Sequence, residues 1–249
     1  MANNNLSLYR NIVILTGAGI SAESGIAVFR SETGLWENHK VEDVATPEGF
    51  MRNPSLVHKF YNDRRADCQR ALPNEAHKSI ARLQEYYASQ GGEVFLVTQN
   101  VDNLHERGGS SQVCHMHGEL FSILCSECGY RHYFDASSST ESVCPKCSHK
   151  TLRPDIVWFG EMPYFMDEIY EKIQRCTLFI AVGTSGVVYP AAGFCQYAKS
   201  VGASTMELNL NPTNVTGMFD FVMKGRATDT VNALANALID GQSLSDICR

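Results

Sequence analysis

Ile12-Val13-Ile14-Leu15 is a short apolar run rich in β-branched side chains, and Thr16-Gly17-Ala18-Gly19 interrupts it at once. Such a run reads as a strand buried on both faces, which needs other layers above and below it. Ser21 is an N-cap candidate for a helix that follows, with Glu23 and Ser24 placing polar groups near its start. Strand, glycine turn and helix start form a layout that can cradle a pyrophosphate, because glycines let the backbone approach and free N–H groups favour anions. Gly17-x-Gly19-x-x-Ala22 fits the alanine-ended dinucleotide fingerprint; a tight structural turn is the competing explanation. The acidic residue expected about 20 positions on, at the end of a second strand, is not evident. Glu37 lies instead in a polar stretch, which weakens an ordinary dehydrogenase reading.

The same pattern recurs along the chain. Val94 to Val97 ends in Thr98-Gln99-Asn100-Val101-Asp102-Asn103-Leu104-His105. Thr177 to Val182 ends in Gly183-Thr184-Ser185, and Thr205 to Leu210 ends around Asn209 to Pro212. A last short strand lies within Phe219 to Ala227. Helical spacing marks the segments near 74–91, 165–175, 190–200 and 228–240 between and after these strands. Alternation of this kind predicts an α/β fold, a Rossmann-like doubly wound parallel sheet whose strand ends share one crevice. Its segments are 1–30, 74–117 and 153–249; 31–73 and 118–152 are insertions that form a smaller domain. Within the first insertion, Pro47 to Leu72 reads as helical, with Arg52, Lys59, Arg64, Arg65 and Arg70 on a solvated face. Ser31 to Trp36 reads as a loop, either a mobile flap or an ordinary surface turn with an apolar anchor. His77 reads as a packing or capping residue.

Cys125-x-x-Cys128 and Cys144-x-x-Cys147 stand 15 residues apart. Two thiolate pairs at this separation can close a tetrahedral zinc site with no open position, hence a structural one; disulfides or bare thiols are the alternative. Ser137-Ser138-Ser139-Thr140 between the pairs reads as an exposed, poorly ordered tip. Alternation over Val113 to His117 puts Cys114 and Met116 on one side, with Val113, His115 and His117 on the other. His117 can serve as a general base near neutral pH, although most lone histidines do nothing of the kind.

Nine cysteines, an odd number, with no export signal in MANNNLSLYR suggest a reducing, cytoplasmic setting. A net charge of −6 argues against a general nucleic-acid or anionic-membrane binder. No apolar run is long enough to span a bilayer.

Taken together, GAGISAESGI (17–26), Phe29-Arg30, TQNVDNLH (98–105), His117-Gly118, the four cysteines, VWFGE (157–161), GTS (183–185) and Asn209 resemble the sirtuins, NAD-dependent protein deacylases. One departure is Ala27, where that family usually carries proline. The resemblance implies NAD, consumed as co-substrate, and an acyl-lysine protein meeting between a Rossmann-like domain and a zinc domain. It implies that Gly17, Ala18, Gly19, Glu23, Phe29, Arg30 and Trp36 border NAD. Gln99, Asn100, Val101 and Asp102 would hold nicotinamide and its ribose. Gly183, Thr184, Ser185, Asn209, Leu210, Asn211 and Ala227 would line the adenosine half. His117 would be the base, with Asn100 and Asp102 also in the catalytic set, and the products would be free lysine, nicotinamide and 2′-O-acyl-ADP-ribose. Val157, Trp158, Phe159 and Gly160 would pair with an extended substrate peptide. Tyr61 and Arg64 share a helix face by their spacing. The resemblance makes them a carboxylate site for succinyl or malonyl groups, against the bland reading of a packed tyrosine and a solvated arginine. A monomer is expected. The rivals are an NAD-dependent ADP-ribosyltransferase and a non-catalytic zinc-ribbon module.

Overall fold

A computed structural model describes residues 8–27, 35–36 and 39–248 of this chain. In chain order the elements are β1 (Asn11–Thr16), β2 (Leu35–Trp36), β3 (His39–Lys40), α1 (Val41–Val44), α2 (Pro47–Arg52), α3 (Pro54–Arg70), α4 (Glu75–Ser89), β4 (Glu93–Thr98), α5 (Leu104–Arg107) and β5 (Cys114–His115). They continue as β6 (Gly118–Cys125), β7 (Arg131–Tyr133), β8 (Leu152–Ile156), α6 (Met166–Arg175), β9 (Leu178–Val182), α7 (Phe194–Ser200), β10 (Ser204–Asn209), β11 (Phe221–Lys224), α8 (Ala227–Ile239) and α9 (Leu244–Ile247).

Six strands form one parallel sheet in the order β11-β10-β9-β1-β4-β5. Its side chains alternate faces as a strand requires. Ile12 and Ile14 of β1 face Ile80 and Leu83 of α4 and Val231 and Leu234 of α8. Val13 and Leu15 face Ile169 and Ile173 of α6 and Phe194 and Ala198 of α7. Helices on both faces explain why β1 reads as an unbroken apolar run. From β1 the chain builds first toward β4 and β5, and later toward β9, β10 and β11, so the order reverses between β1 and β9. Ligands of such sheets bind outside the strand ends at this reversal.

A second, antiparallel sheet has the order β7-β6-β8. Within β8, residues 153–156, grouped with the parallel half by sequence, pair instead with β6. Pro154 is tolerated there because β8 is an edge strand. Helix α3 packs against this sheet through Val57, Phe60 and Tyr61, with Leu120, Phe121, Ile156 and Trp158 opposite.

Four local expectations need correction. No α-helix follows the first glycine turn among the described residues. Two short 3₁₀ turns, Ala18–Ile20 and Ala22–Ser24, stand there, and the Ser21 side chain makes no capping bond. The helix expected over 47–72 is broken at Asn53, which caps α3 by accepting from Leu56 N at 3.0 Å, while Pro54 cannot donate back to α2. Arg65 is buried rather than solvated: its Nε donates to Leu120 O at 2.7 Å and Nη1 to Ala136 O at 3.0 Å. Ser138 is not an exposed tip but is 4% exposed. Its N–H donates to Asn62 Oδ1 at 2.9 Å, its carbonyl accepts from Asn62 Nδ2 at 2.8 Å, and its hydroxyl meets His58 Nδ1 at 2.8 Å. Ser138 alone of this run is buried, because α3 offers it matching donors and acceptors, while Ser137 and Ser139 stay exposed as expected.

Candidate active site

The turns after β1 and β9 touch. Gly17 N donates to Val182 O at 2.9 Å and Gly19 N to Gly183 O at 2.8 Å. A Cβ on Gly19 would lie 2.7 Å from Gly183 Cα, so this approach requires glycine. The glycines of the fingerprint therefore bring two strand ends together as well as clearing space above them.

A cavity of about 280 Å³ opens at this point. Gly17, Ala18, Trp36, Gln99, Asn100, Val101, Asp102, His117, Gly183, Thr184 and Ser185 line it. So do Tyr61, Val157, Trp158, Phe159 and Gly160. The fold thus gathers at one cavity residues that are scattered along the sequence from Gly17 to Ser185. Phe29 and Arg30 lie outside the described residues.

His117 Nδ1 is 3.2 Å from the Gln99 carbonyl oxygen, which only accepts, so that nitrogen carries the proton and Nε2 keeps the lone pair. Burial holds the ring below its ordinary value, and the Gln99 carbonyl opposes this only in part. The result is a neutral imidazole on the cavity wall, the state a general base needs.

Asn100 and Asp102 are fixed from behind by Ser21. Asn100 Nδ2 donates to Ser21 Oγ at 3.2 Å and to Gly17 O at 3.2 Å, and Ser21 Oγ donates to Asp102 Oδ2 at 3.0 Å. His77 Nδ1 lies 3.2 Å from Asn74 N and 3.1 Å from Asn74 Oδ1, and its Nε2 lies 3.3 Å from Ser21 Oγ. This joins the expected capping role of His77 to the site. Burial drives His77 down to about 4 and His105 well below its usual range. His105 Nε2 lies 3.0 Å from Thr16 Oγ1, which donates to Thr98 Oγ1 at 2.8 Å; Thr98 in turn accepts from Asn100 N at 3.0 Å. Burial raises Asp102, while the Leu104 N–H, the Ser21 hydroxyl and the His115 charge oppose that rise. Sequence read Ser21 only as a helix N-cap and gave Thr16 and Thr98 no role of their own; their polar side chains beside a buried strand are the signal that could have found them.

The remaining expected residues sit around the rim. Asn209 Nδ2 donates to Thr184 O at 2.8 Å, and Leu210 N donates to Asn209 Oδ1 at 3.0 Å. Leu210 and Asn211 are exposed on the turn after β10. Glu23 reaches the start of α8, where it accepts from Thr228 N at 3.1 Å and Thr228 Oγ1 at 3.0 Å, next to Ala227. A carboxylate there suits the positive end of a helix.

Tyr61 is fully buried beneath the cavity wall, and its hydroxyl oxygen accepts from Trp158 Nε1 at 3.1 Å. Its own proton is therefore available to donate. Arg64 is not among the lining residues: its Nη2 donates to Asp67 Oδ2 at 2.9 Å, and its guanidinium lies over the Phe60 ring at 5.0 Å. Spacing put Tyr61 and Arg64 on one face; packing turns the first to the cavity and ties the second to its own helix. The N–H groups of Val157, Trp158 and Phe159 already donate to His117 O, Glu161 Oε2 and Ala45 O.

The four Sγ atoms of Cys125, Cys128, Cys144 and Cys147 lie within 4.8 Å of one another. Cys125–Cys147 and Cys128–Cys144 are 3.6 and 3.8 Å apart. Thiolates at about 2.3 Å from a zinc ion form a tetrahedron with edges of about 3.8 Å, so the set fits one structural zinc.

Residues 17–190 match the Sir2 family. The chain belongs to the Sir2 family. Sirtuin relatives include the "NAD-dependent protein deacylase" of Vibrio parahaemolyticus, 51% identical over 93% of this chain and 96% of that protein. Its namesake in Salmonella typhimurium is 50% identical over 92% of this chain and 84% of that one. Among solved structures, a complex of a Sir2 homologue with NAD superposes with a TM-score of 0.86 at 36% identity, covering 96% of this chain and 93% of that one. The sirtuin fold accounts for the Rossmann-like sheet and the separate cysteine-bearing part.

Proposed function

We propose that this sirtuin removes acyl groups from protein lysines at the expense of NAD, releasing nicotinamide and 2′-O-acyl-ADP-ribose. The observation that carries this reading is His117, a half-buried neutral imidazole tied at Nδ1 to Gln99 and lining a cavity at the strand reversal. The solved NAD complex of a homologue and the relatives' names support the same chemistry. NAD would lie over the turns at Gly17 and Gly183, its nicotinamide ribose near Gln99, Asn100, Val101 and Asp102. The adenosine half would lie toward Ser185, Asn209 and Ala227. Bound NAD supplies an electrophilic ribose carbon. The chain's own part is to bury that end from water, orient it with Asn100 and Asp102, and take a ribose proton on His117 Nε2.

The acyl-lysine would enter past Phe159 and Gly160, with its acyl end against Tyr61. Tyr61 has a hydroxyl proton to give, which favours acyl groups that end in an acceptor. Succinyl- and malonyl-lysine are therefore proposed substrates beside acetyl-lysine, with Arg64 leaving Asp67 for the acyl carboxylate.

The test is turnover of succinyl, malonyl and acetyl versions of one peptide with NAD. The expected result is one nicotinamide released per free lysine, and loss of turnover by about 10²–10⁴-fold in His117→Tyr with NAD binding retained. A His117→Tyr protein that keeps most of its rate removes the base assignment. Label from NAD appearing on protein would favour ADP-ribosyl transfer instead.

A further inference from the structure

His115 stands two residues before His117 and has no part in the chemistry above. Its ring is 5% exposed, between the backbone after β4 and helix α5. Nδ1 lies 3.0 Å from Asn100 O, and Nε2 lies 2.7 Å from Glu106 Oε1. A neutral imidazole has one N–H and one lone pair, so either tautomer would press a lone pair against an oxygen. Moving the proton to Glu106 does not relieve this, because Glu106 is half-exposed and a solvated carboxyl is a stronger acid than imidazolium by about two pH units. Only the doubly protonated ring satisfies both partners.

We infer that His115 is a standing imidazolium that pins the Asn100 carbonyl and supplies positive charge beside buried Asp102, and is thus a positioning residue for NAD cleavage. The positioning role rests on the NAD reading above; the charge state does not. The groups that bear on the ring are Glu106 on α5, Glu119 on β6, Asp102 after β4, and His105 on α5, whose own protonation the His115 charge opposes. Burial alone would lower His115, yet Glu106 foremost, then Glu119 and the Asn100 carbonyl, hold it above its usual value. His77, His105 and His117 are all lowered. One histidine of this group is charged and three are neutral.

The charge acts through Asn100. Its N–H goes to Thr98, its Nδ2 to Gly17 and Ser21, and its carbonyl to His115, which leaves the side-chain oxygen for a ligand. When the ring loses one proton, the carboxylate, the stronger acceptor, keeps the other, and the Asn100 carbonyl loses its donor. Activity therefore falls as pH rises through the His115 titration. His117 produces the opposite limb, because it must be neutral to act.

The experiment is imidazole NMR on zinc-loaded protein labelled with ¹⁵N-histidine, with His115 assigned by its absence in His115→Gln. At about pH 7.5, one pH unit above ordinary histidine, His115 is expected to carry two N–H protons and His117 one. In Glu106→Gln the second proton of His115 should leave at lower pH. The alkaline fall of kcat/KM for NAD should move with it, giving about a tenfold loss near pH 8 that shrinks on acidification. A singly protonated His115 at about pH 7.5, or a Glu106→Gln protein whose His115 titration and alkaline limb are unmoved, overturns the inference. Failure of the parent reading looks different: no nicotinamide is released at any pH while the imidazolium signal persists, which removes the positioning role with it.

Discussion

One side chain type takes opposite states within a few ångströms here, and the difference lies in what each ring nitrogen meets. His77 has no carboxylate against either ring nitrogen to offset its burial, so it is held neutral. Its fall from 6.5 to about 4 is worth about 3 kcal/mol, at about 1.4 kcal/mol per pH unit. A depressed histidine contributes stability that is present above its unfolded value and lost as pH falls toward its folded value. Urea unfolding is therefore expected to show lost stability between pH 6.5 and about 4, reduced in His77→Asn. Equal acid loss in the two proteins would refute this. Arg64 illustrates the same dependence on partners. Its guanidinium is already engaged by half-exposed Asp67, so binding an acyl carboxylate means an exchange of partners. Arg64→Met is expected to cut desuccinylation about tenfold, the lower end for a charge-assisted bond, and to spare deacetylation. Equal loss on both substrates would sink the acyl-pocket assignment.

At the scale of elements, helix α3 joins the cavity to the cysteine-bearing part. Tyr61 faces the cavity, while His58, Asn62 and Arg65 hold the backbone and side chain of residues 136–138. That stretch lies between the two cysteine pairs, so the same helix feels both. Asn62 makes two bonds to the Ser138 backbone and accepts a third from Arg65 Nη1 at 3.0 Å. Asn62→Ala leaves these buried groups unmatched and is expected to cost about 1–3 kcal/mol in urea unfolding with zinc content unchanged. A neutral variant would show that water replaces the latch.

For the molecule as a whole, the cysteine end contains little apolar material: Ile123 and Leu152 with the cysteines, and Phe134 against them. So small a core cannot by itself hold the two cysteine turns at the end of this sheet, and metal binding must supply much of their folding energy. Cys125→Ala is expected to lose zinc by metal analysis and to unfold at lower temperature, because three thiolates do not close the site. Soluble, zinc-free protein that melts like the parent would disprove a structural role. Chelation should reach the cavity through α3, and the chain's two tryptophans report it, since Trp36 packs on Tyr61 at 6.0 Å and Trp158 bonds its hydroxyl.

Much of this was legible in the linear chain because it depends on local pattern. Buried strands show as apolar runs, zinc pairs as Cys-x-x-Cys, and the strand-end turns as small polar clusters. Family resemblance then pointed to His117, Asn100 and Asp102. What sequence did not reveal depends on neighbours far along the chain. Ser138 is polar and lies among serines, yet is buried because α3 presents Asn62 and His58 to it. Arg65 reads as one base among several and is buried because Leu120 and Ala136 offer carbonyls. Ser21 suits a helix cap locally, but Asn100 and Asp102 converge on its hydroxyl, and the backbone turns into 3₁₀ geometry instead. The charge on His115 is likewise invisible in Val-Cys-His-Met-His. Protonation follows from which acceptors the fold sets against each nitrogen, and only the tertiary structure brings Glu106 and the Asn100 carbonyl to the same ring.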